Sequence, residues 1–144
     1  MSNRVRSALG IIVVATAAAL VVYGLIRGLW LEPMAKRGGG GEEEPVTWVM
    51  VAFTTFVAGL LAWGVATLLE RAGKARWWPF VGSTALAISM IGPTYQSDGE
   101  SAVALIILHL VVAVVLITGF AGLILPGYRP DRTRDLGQSS PGNR

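Results

Sequence analysis

Residues 101–128 read SAVALIILHLVVAVVLITGFAGLILPGY and contain no charged side chain. A helix that crosses a hydrocarbon layer of about 30 Å needs roughly 20 residues. Three other stretches of sufficient length also lack charge, namely residues 7–26, 45–69 and 77–97. Because a backbone in lipid must satisfy its own hydrogen bonds, each stretch is predicted to form a transmembrane helix.

The composition supports this prediction. Of the 144 residues, 53% are hydrophobic and only 15% are charged, a balance typical of a small membrane protein with several spans. We therefore predict an all-α fold, an integral membrane bundle of four transmembrane helices that occupies residues 1–125 as one domain. The predicted helices cover about residues 7–30, 46–69, 77–95 and 101–125. Residues 126–144, rich in Gly, Pro, Arg and Ser, are predicted to form a disordered cytoplasmic tail.

The basic residues predict the orientation. Nine lie in the N-terminus, the second loop and the tail, at positions 4, 6, 71, 74, 76, 129, 132, 134 and 144, whereas three lie in the first loop and none in the third. By the positive-inside rule, both termini are expected in the cytoplasm of a multi-pass plasma membrane protein. The basic residues border the helices instead of clustering on one face, so the expected partner is the lipid bilayer and no nucleic acid.

The first helix has a competing interpretation as a secretory signal, because Arg4 and Arg6 precede its apolar run. The run is long, however, and no small-x-small cleavage site follows Trp30 at the usual distance, which favours an uncleaved helix. The segment at residues 37–44, RGGGGEEE, is predicted to be a flexible spacer. Tryptophan and tyrosine are predicted to lie at the membrane surfaces, at positions 30, 48, 77, 78, 95 and 128.

Small residues at helical spacing predict close helix packing, since they let two backbones approach each other in lipid. Gly24 and Gly28 form a GxxxG pair near the end of the first helix. The other stripes are Ala58, Ala62 and Ala66, then Gly82, Ala85 and Ser89, and then Thr118 and Gly122. Packing within the chain is favoured, and Gly24, Gly28, Ala58, Ala62 and Ala66 are also candidates for contact with another membrane protein or a second copy.

The single histidine, His109, lies about 12 Å below the outer end of the fourth helix. Thr54, Thr55, Ser89 and Tyr23 are predicted at similar depth on the other helices, which makes these five residues a candidate intramembrane polar cluster. The favoured interpretation is that His109 bonds to Thr54, Thr55 or Tyr23 and fixes the helix register, because interhelical hydrogen bonds stabilise bundles in lipid. A ligand-binding or proton-handling role is the alternative.

Elimination argues against an enzyme. The chain has no cysteine, and no acidic residue lies within the predicted helices. A haem held between helices would need two axial side chains, a catalytic metal about three ligands, and a nucleophilic triad an orienting acid. Small four-helix multidrug exporters also require an embedded glutamate. We therefore expect no catalytic residue, no metal and no cofactor.

Several short motifs resemble a known family. They are LLER at residues 68–71, KARW at 74–77, IGP at 91–93 and LHLVVAVVLI at 108–117. Over roughly residues 5–125 the chain resembles the small four-helix actinobacterial membrane proteins grouped as DUF6069, a family of unknown function. The resemblance implies the fold, the membrane location and interest in His109, and it implies no reaction.

The sequence thus favours a non-enzymatic accessory or interaction protein of the membrane. The alternative is a small oligomeric transporter or channel subunit with a polar path around His109, which would require self-association because four short helices leave little room for a pore.

Overall fold

The computed structural model describes residues 3–29, 34–36, 43–92 and 99–125. Within them lie four helices: α1 (Asn3–Gly28), α2 (Trp48–Arg71), α3 (Trp78–Ser89) and α4 (Glu100–Ile124). Two short strands, β1 (Met34–Lys36) and β2 (Glu43–Pro45), pair antiparallel between α1 and α2. A 3-10 turn, Ala75–Trp77, leads into α3. The predicted all-helical fold is confirmed apart from the small β-hairpin.

Three of the helices are long and apolar enough to cross a membrane. α1, α2 and α4 contain 26, 24 and 25 residues, which corresponds to about 36–39 Å of helix. Their bounds match the charge-free stretches within a few residues. Arg4, on the first turn of α1, forms a two-point ion pair with Glu70 near the end of α2, at 2.8 and 3.1 Å. The Thr47 hydroxyl accepts a hydrogen bond from the Met50 backbone N–H and caps α2.

The helix predicted over residues 77–95 is described only in part, because residues 93–95 lie outside the described residues. α3 has 12 residues where the sequence predicted a helix over 77–95, and about 18 Å of helix does not cross a hydrocarbon core. The Ser89 hydroxyl donates to the Leu86 carbonyl oxygen at 2.8 Å, and the Met90 backbone N–H donates to the same oxygen at 3.0 Å. Residues 91 and 92 are again helical, whereas 93–98 lie outside the described residues. A fourth span therefore stays a prediction.

The hairpin includes the last two residues of the predicted spacer over residues 37–44. Its register pairs Ala35 with Glu44 and Lys36 with Glu43, so the end of the acidic run is a strand; residues 37–42 lie outside the described part. The Ser101 hydroxyl accepts from the Met34 backbone N–H at 3.2 Å, which ties the hairpin to the start of α4. We call this end of the bundle the hairpin end. The predicted tail, residues 126–144, also lies outside the described residues.

α1 packs along both α2 and α4, and two glycines allow the close approach. A Cβ atom at Gly59 would lie 2.9 Å from Cγ1 of Ile12, and one at Gly119 would lie 2.7 Å from Cγ2 of Ile11. α3 packs against α4 in the same way, since a Cβ at Gly82 would lie 2.8 Å from Cγ1 of Ile117. Small residues thus hold these helices together by close contact.

The tryptophans divide into two environments. Trp48 and Trp77 are exposed near opposite ends of the bundle, as predicted for residues at membrane surfaces. Trp78 is an exception, because it is only 3% exposed. Its indole N–H donates to the Ile117 carbonyl oxygen at 2.9 Å, and its ring meets Phe120 edge-on at 5.8 Å. Positions 30, 95 and 128 lie outside the described residues.

Candidate functional site

A groove separates α2 from α3, because α3 packs against α4 and makes little contact with α2. It has a volume of about 440 Å³ and is partly open to the surface. Its walls run from Thr54 to Val65 on α2, from Trp78 to Ser89 on α3 and from Leu108 to Ile117 on α4. Eleven residues of helix correspond to about 16 Å of groove. The volume is within the range of small-molecule binding sites.

The groove is polar at one end and apolar along the rest. Thr54, Thr55, Ser89 and His109 all line it. They lie toward the hairpin end, because α2 and α4 begin there and α3 runs toward it. The opposite end of the groove is bounded by Trp78 and aliphatic side chains. The structure therefore brings together four of the five predicted cluster residues.

His109 is half-buried, and its ring bonds to its own helix. Nδ1 lies 2.8 Å from the Leu105 carbonyl oxygen. A carbonyl oxygen only accepts, so this contact assigns the proton of the neutral ring to Nδ1 and leaves Nε2 as an acceptor. Nε2 has no hydrogen-bond partner among the described residues. The expected bond from His109 to a threonine or tyrosine of another helix is thus not formed; the carbonyl one turn back takes its place.

The hydroxyl groups at this end behave in two ways. The Thr54 hydroxyl donates to the Met50 carbonyl oxygen at 2.6 Å, and Ser89 bonds within α3 as described above. Thr55 differs, because it is only 6% exposed and its hydroxyl has no partner in the part of the chain that the structure describes. The groove therefore contains two polar groups without partners, the Thr55 hydroxyl and His109 Nε2.

Tyr23, the fifth predicted cluster residue, lies outside the groove. Its hydroxyl donates to the Val46 carbonyl oxygen at 2.6 Å, and the side chain is buried between α1 and the residues that precede α2. This bond fastens the end of α1 to the chain entering α2. Tyr23 does not line the groove with His109.

The small residues predicted to form packing faces lie in three different environments. A Cβ atom at Gly24 or Gly28 would meet nothing within 4 Å, so this GxxxG pair lies on open surface. Ala66 is fully buried in the bundle, whereas Ala58 and Ala62 line the groove. Whether any of these residues contacts another protein stays a prediction.

A family model matches residues 1–124 of the chain and carries the description "family of unknown function (DUF6069)". The chain belongs to the DUF6069 family. No curated protein and no solved structure matches it. The match includes all four helices of this DUF6069 protein and every residue that lines the groove.

Sequence reasoning about this DUF6069 protein missed part of the groove. Trp78 closes the apolar end, although its place beside Trp77 predicted a position at the membrane surface. Ala113 also lines the groove and was not singled out. The sequence contained one usable signal, because Ala113 lies four residues after His109 and therefore on the same face of α4. No three potential metal ligands come together within the described ranges.

Proposed function

We propose that this chain is a non-enzymatic accessory protein of the plasma membrane, which binds a partner from within the bilayer through the groove between α2, α3 and α4. The partner reaches the groove through its open side. In this proposal α1, α2 and α4 cross the membrane, the chain around α3 completes a fourth span, and both termini face the cytoplasm. The distribution of basic residues along the sequence supports this orientation.

The observation that carries the proposal is the open, mostly apolar groove in an otherwise closely packed bundle. Contacts as tight as those at Gly59 and Gly119 hold α1 in place, while the space between α2 and α3 contains no side chain large enough to fill it. An empty space of this size would forfeit the dispersion contacts of its lining. In a bilayer, another molecule therefore fills it.

The test is photocrosslinking in native membranes from two exposed positions. A residue with a short diazirine side chain, much smaller than an aromatic ring, faces the groove at Ala85 without filling it. The same residue at Val14, which is 59% exposed on α1, serves as the control outside the groove. We expect a defined adduct from position 85 that is absent from position 14. The same set of adducts from both positions would contradict a binding groove.

A transporter or channel subunit is the second candidate, and one observation favours it. Polar side chains from α2, α3 and α4 share a single open face, so a second copy placed against the groove would enclose a polar path. This function requires a homo-oligomer. A monomer in mild detergent, together with liposomes that show no flux of protons or ions, would exclude it; a stable oligomer with flux would favour it over the accessory role.

A further inference from the structure

We infer that the groove binds a single-chain amphiphile, a hydrocarbon chain with one O–H group at its end. The O–H group lies at His109 and Thr55, and the chain runs along the groove toward Trp78. This inference rests on the proposed function, because it assigns the chemistry of the partner to the same groove.

The polar end of the groove specifies the O–H group. With its proton at Nδ1 bonded to Leu105, the neutral His109 ring offers Nε2 as an acceptor only. The Thr55 hydroxyl both donates and accepts, and neither group forms a hydrogen bond with another described residue. No fully buried side-chain N or O atom in the described residues lacks a partner, so both atoms are accessible from the groove that they line. A ligand O–H donates to Nε2 and accepts from Thr55. Polar groups left unpaired in an apolar setting cost free energy, so a bare hydrocarbon chain satisfies this end poorly.

The apolar length of the groove specifies the chain. Between the polar end and Trp78 the walls contain small and aliphatic side chains, among them Ala58, Val65, Ala85 and Ala113. Alanines leave width for one chain, and the contact of Gly82 with Ile117 keeps α3 close to α4 below it. A chain held in the groove contacts side chains of three helices along its length, and these dispersion contacts take the place of contacts with lipid tails.

Trp78 forms a fixed floor to the groove. Its hydrogen bond to the Ile117 carbonyl oxygen and its edge-on contact with Phe120 hold the indole ring from two sides. The ring is buried and cannot swing aside without breaking both contacts. The floor therefore limits how far a chain extends from the polar end.

Long-chain alcohols and protonated fatty acids share the required chemistry, and the test distinguishes them. The full chain is placed in phospholipid nanodiscs and labelled with a dodecanol analogue that carries a diazirine on its chain. Dodecanol, dodecanoic acid and dodecyl methyl ether are then added as competitors. The ether has the same chain and no O–H to donate. We expect labelled peptides from the groove walls, competition by the alcohol or the acid, and weak competition by the ether.

Variants test the two polar contacts. We expect His109→Leu and Thr55→Val each to weaken labelling about threefold to tenfold, the usual effect of losing one hydrogen bond. Thr67→Val is the matched control, because the Thr67 hydroxyl donates within α2 to the Trp63 carbonyl oxygen and does not line the groove; labelling should be unchanged. His109→Gln retains an acceptor and should preserve labelling, which separates loss of the contact from loss of the fold. Size-exclusion profiles check that each variant is folded.

Equal competition by the ether and the alcohol, or equal loss of labelling in Thr67→Val and Thr55→Val, would overturn the inference. A protein adduct from position 85 in native membranes would also overturn it while the proposed function stands. Absence of any adduct specific to the groove, from either the probe or position 85, would overturn both.

Discussion

The two sides of the bundle differ in how small residues are used. On the α1 side, an isoleucine lies against a glycine of each neighbouring helix, with Ile12 at Gly59 and Ile11 at Gly119. On the α3 side one such contact, Gly82 with Ile117, joins α3 to α4. Between α2 and α3, in contrast, Ala58, Ala85 and Ala113 border a groove. The first arrangement excludes everything else from the interface, and the second leaves about 440 Å³ unfilled.

The comparison shows that a stripe of small residues does not by itself predict a closed helix interface. Close packing in lipid depends on van der Waals contact between the two surfaces. A small residue produces that contact only where a large side chain lies opposite. Where small residues lie opposite one another, the space between the helices remains available to a ligand.

The largest expected effect comes from filling a closed contact. Gly119→Val should destabilise the bundle by about 1–3 kcal/mol, because overpacking forces helices apart and a Cβ at this position already lies 2.7 Å from Ile11. The measurement is the midpoint of thermal unfolding in detergent. Gly24→Val is the control, since its Cβ meets nothing within 4 Å. Similar losses in both variants would show that the comparison between contact and open surface is wrong.

The next largest effect is expected at Trp78, which lines the groove and also packs in the buried core. Trp78→Phe removes the hydrogen bond to Ile117 and should cost about 1–2 kcal/mol of unfolding free energy. Trp77→Phe alters an exposed neighbour and should cost less than about 0.5 kcal/mol. Equal melting temperatures for the two variants would mean that Trp78 does not hold the floor of the groove.

The sequence predicts the long helices well for physical reasons. Charge-free runs of sufficient length leave helix as the structure available in lipid, so the positions of α1, α2 and α4 follow from hydropathy. The full length of the third predicted helix stays a prediction, because residues 93–98 lie outside the described residues. The β-hairpin escapes prediction, since its strands are three residues each and depend on contacts such as Met34 with Ser101.

A smaller effect is expected at the ion pair that joins the start of α1 to the end of α2. Arg4→Gln breaks the ion pair with Glu70. The Arg4 side chain is largely exposed in this pair. Such pairs contribute about 0.2–1 kcal/mol, and salt screens them. Thermal unfolding should show a small loss at low salt that shrinks in concentrated salt. Arg6→Gln, on the same turn, is the control with no described ion pair. A loss independent of salt would indicate a packing role for Arg4 instead.

The smallest effect on stability is expected at His109, which lines the groove. His109→Leu should change the unfolding free energy by less than about 0.5 kcal/mol, because the ring bonds to its own helix and not to a neighbouring one. Leu108→Ala, one residue away in the buried cluster, should cost about 2 kcal/mol or more. A large loss in His109→Leu would restore the interpretation of His109 as a structural contact between helices.

The candidate site was predictable in its residues and not in its geometry. Helical rise alone placed Thr54, Thr55, Ser89 and His109 at similar depth, and the structure gathers these four in one groove. Depth carries no information about the direction around the helix axis, and Tyr23 therefore proved to face Val46. The depth of a residue also does not show which acceptor its side chain prefers. The bond of His109 to the Leu105 carbonyl oxygen therefore could not be predicted from the sequence.

Native mass spectrometry of the chain released from its own membranes is the decisive test of whether the groove binds a molecule in lipid. The wild-type chain is compared with Ala85→Phe, which fills the groove from an exposed position on α3 and leaves the α1 contacts unchanged. We expect the wild-type chain to retain a bound molecule of defined mass. We expect Ala85→Phe to lose that molecule while its melting temperature stays the same. Identical spectra for the two proteins would contradict a groove that binds a partner in lipid.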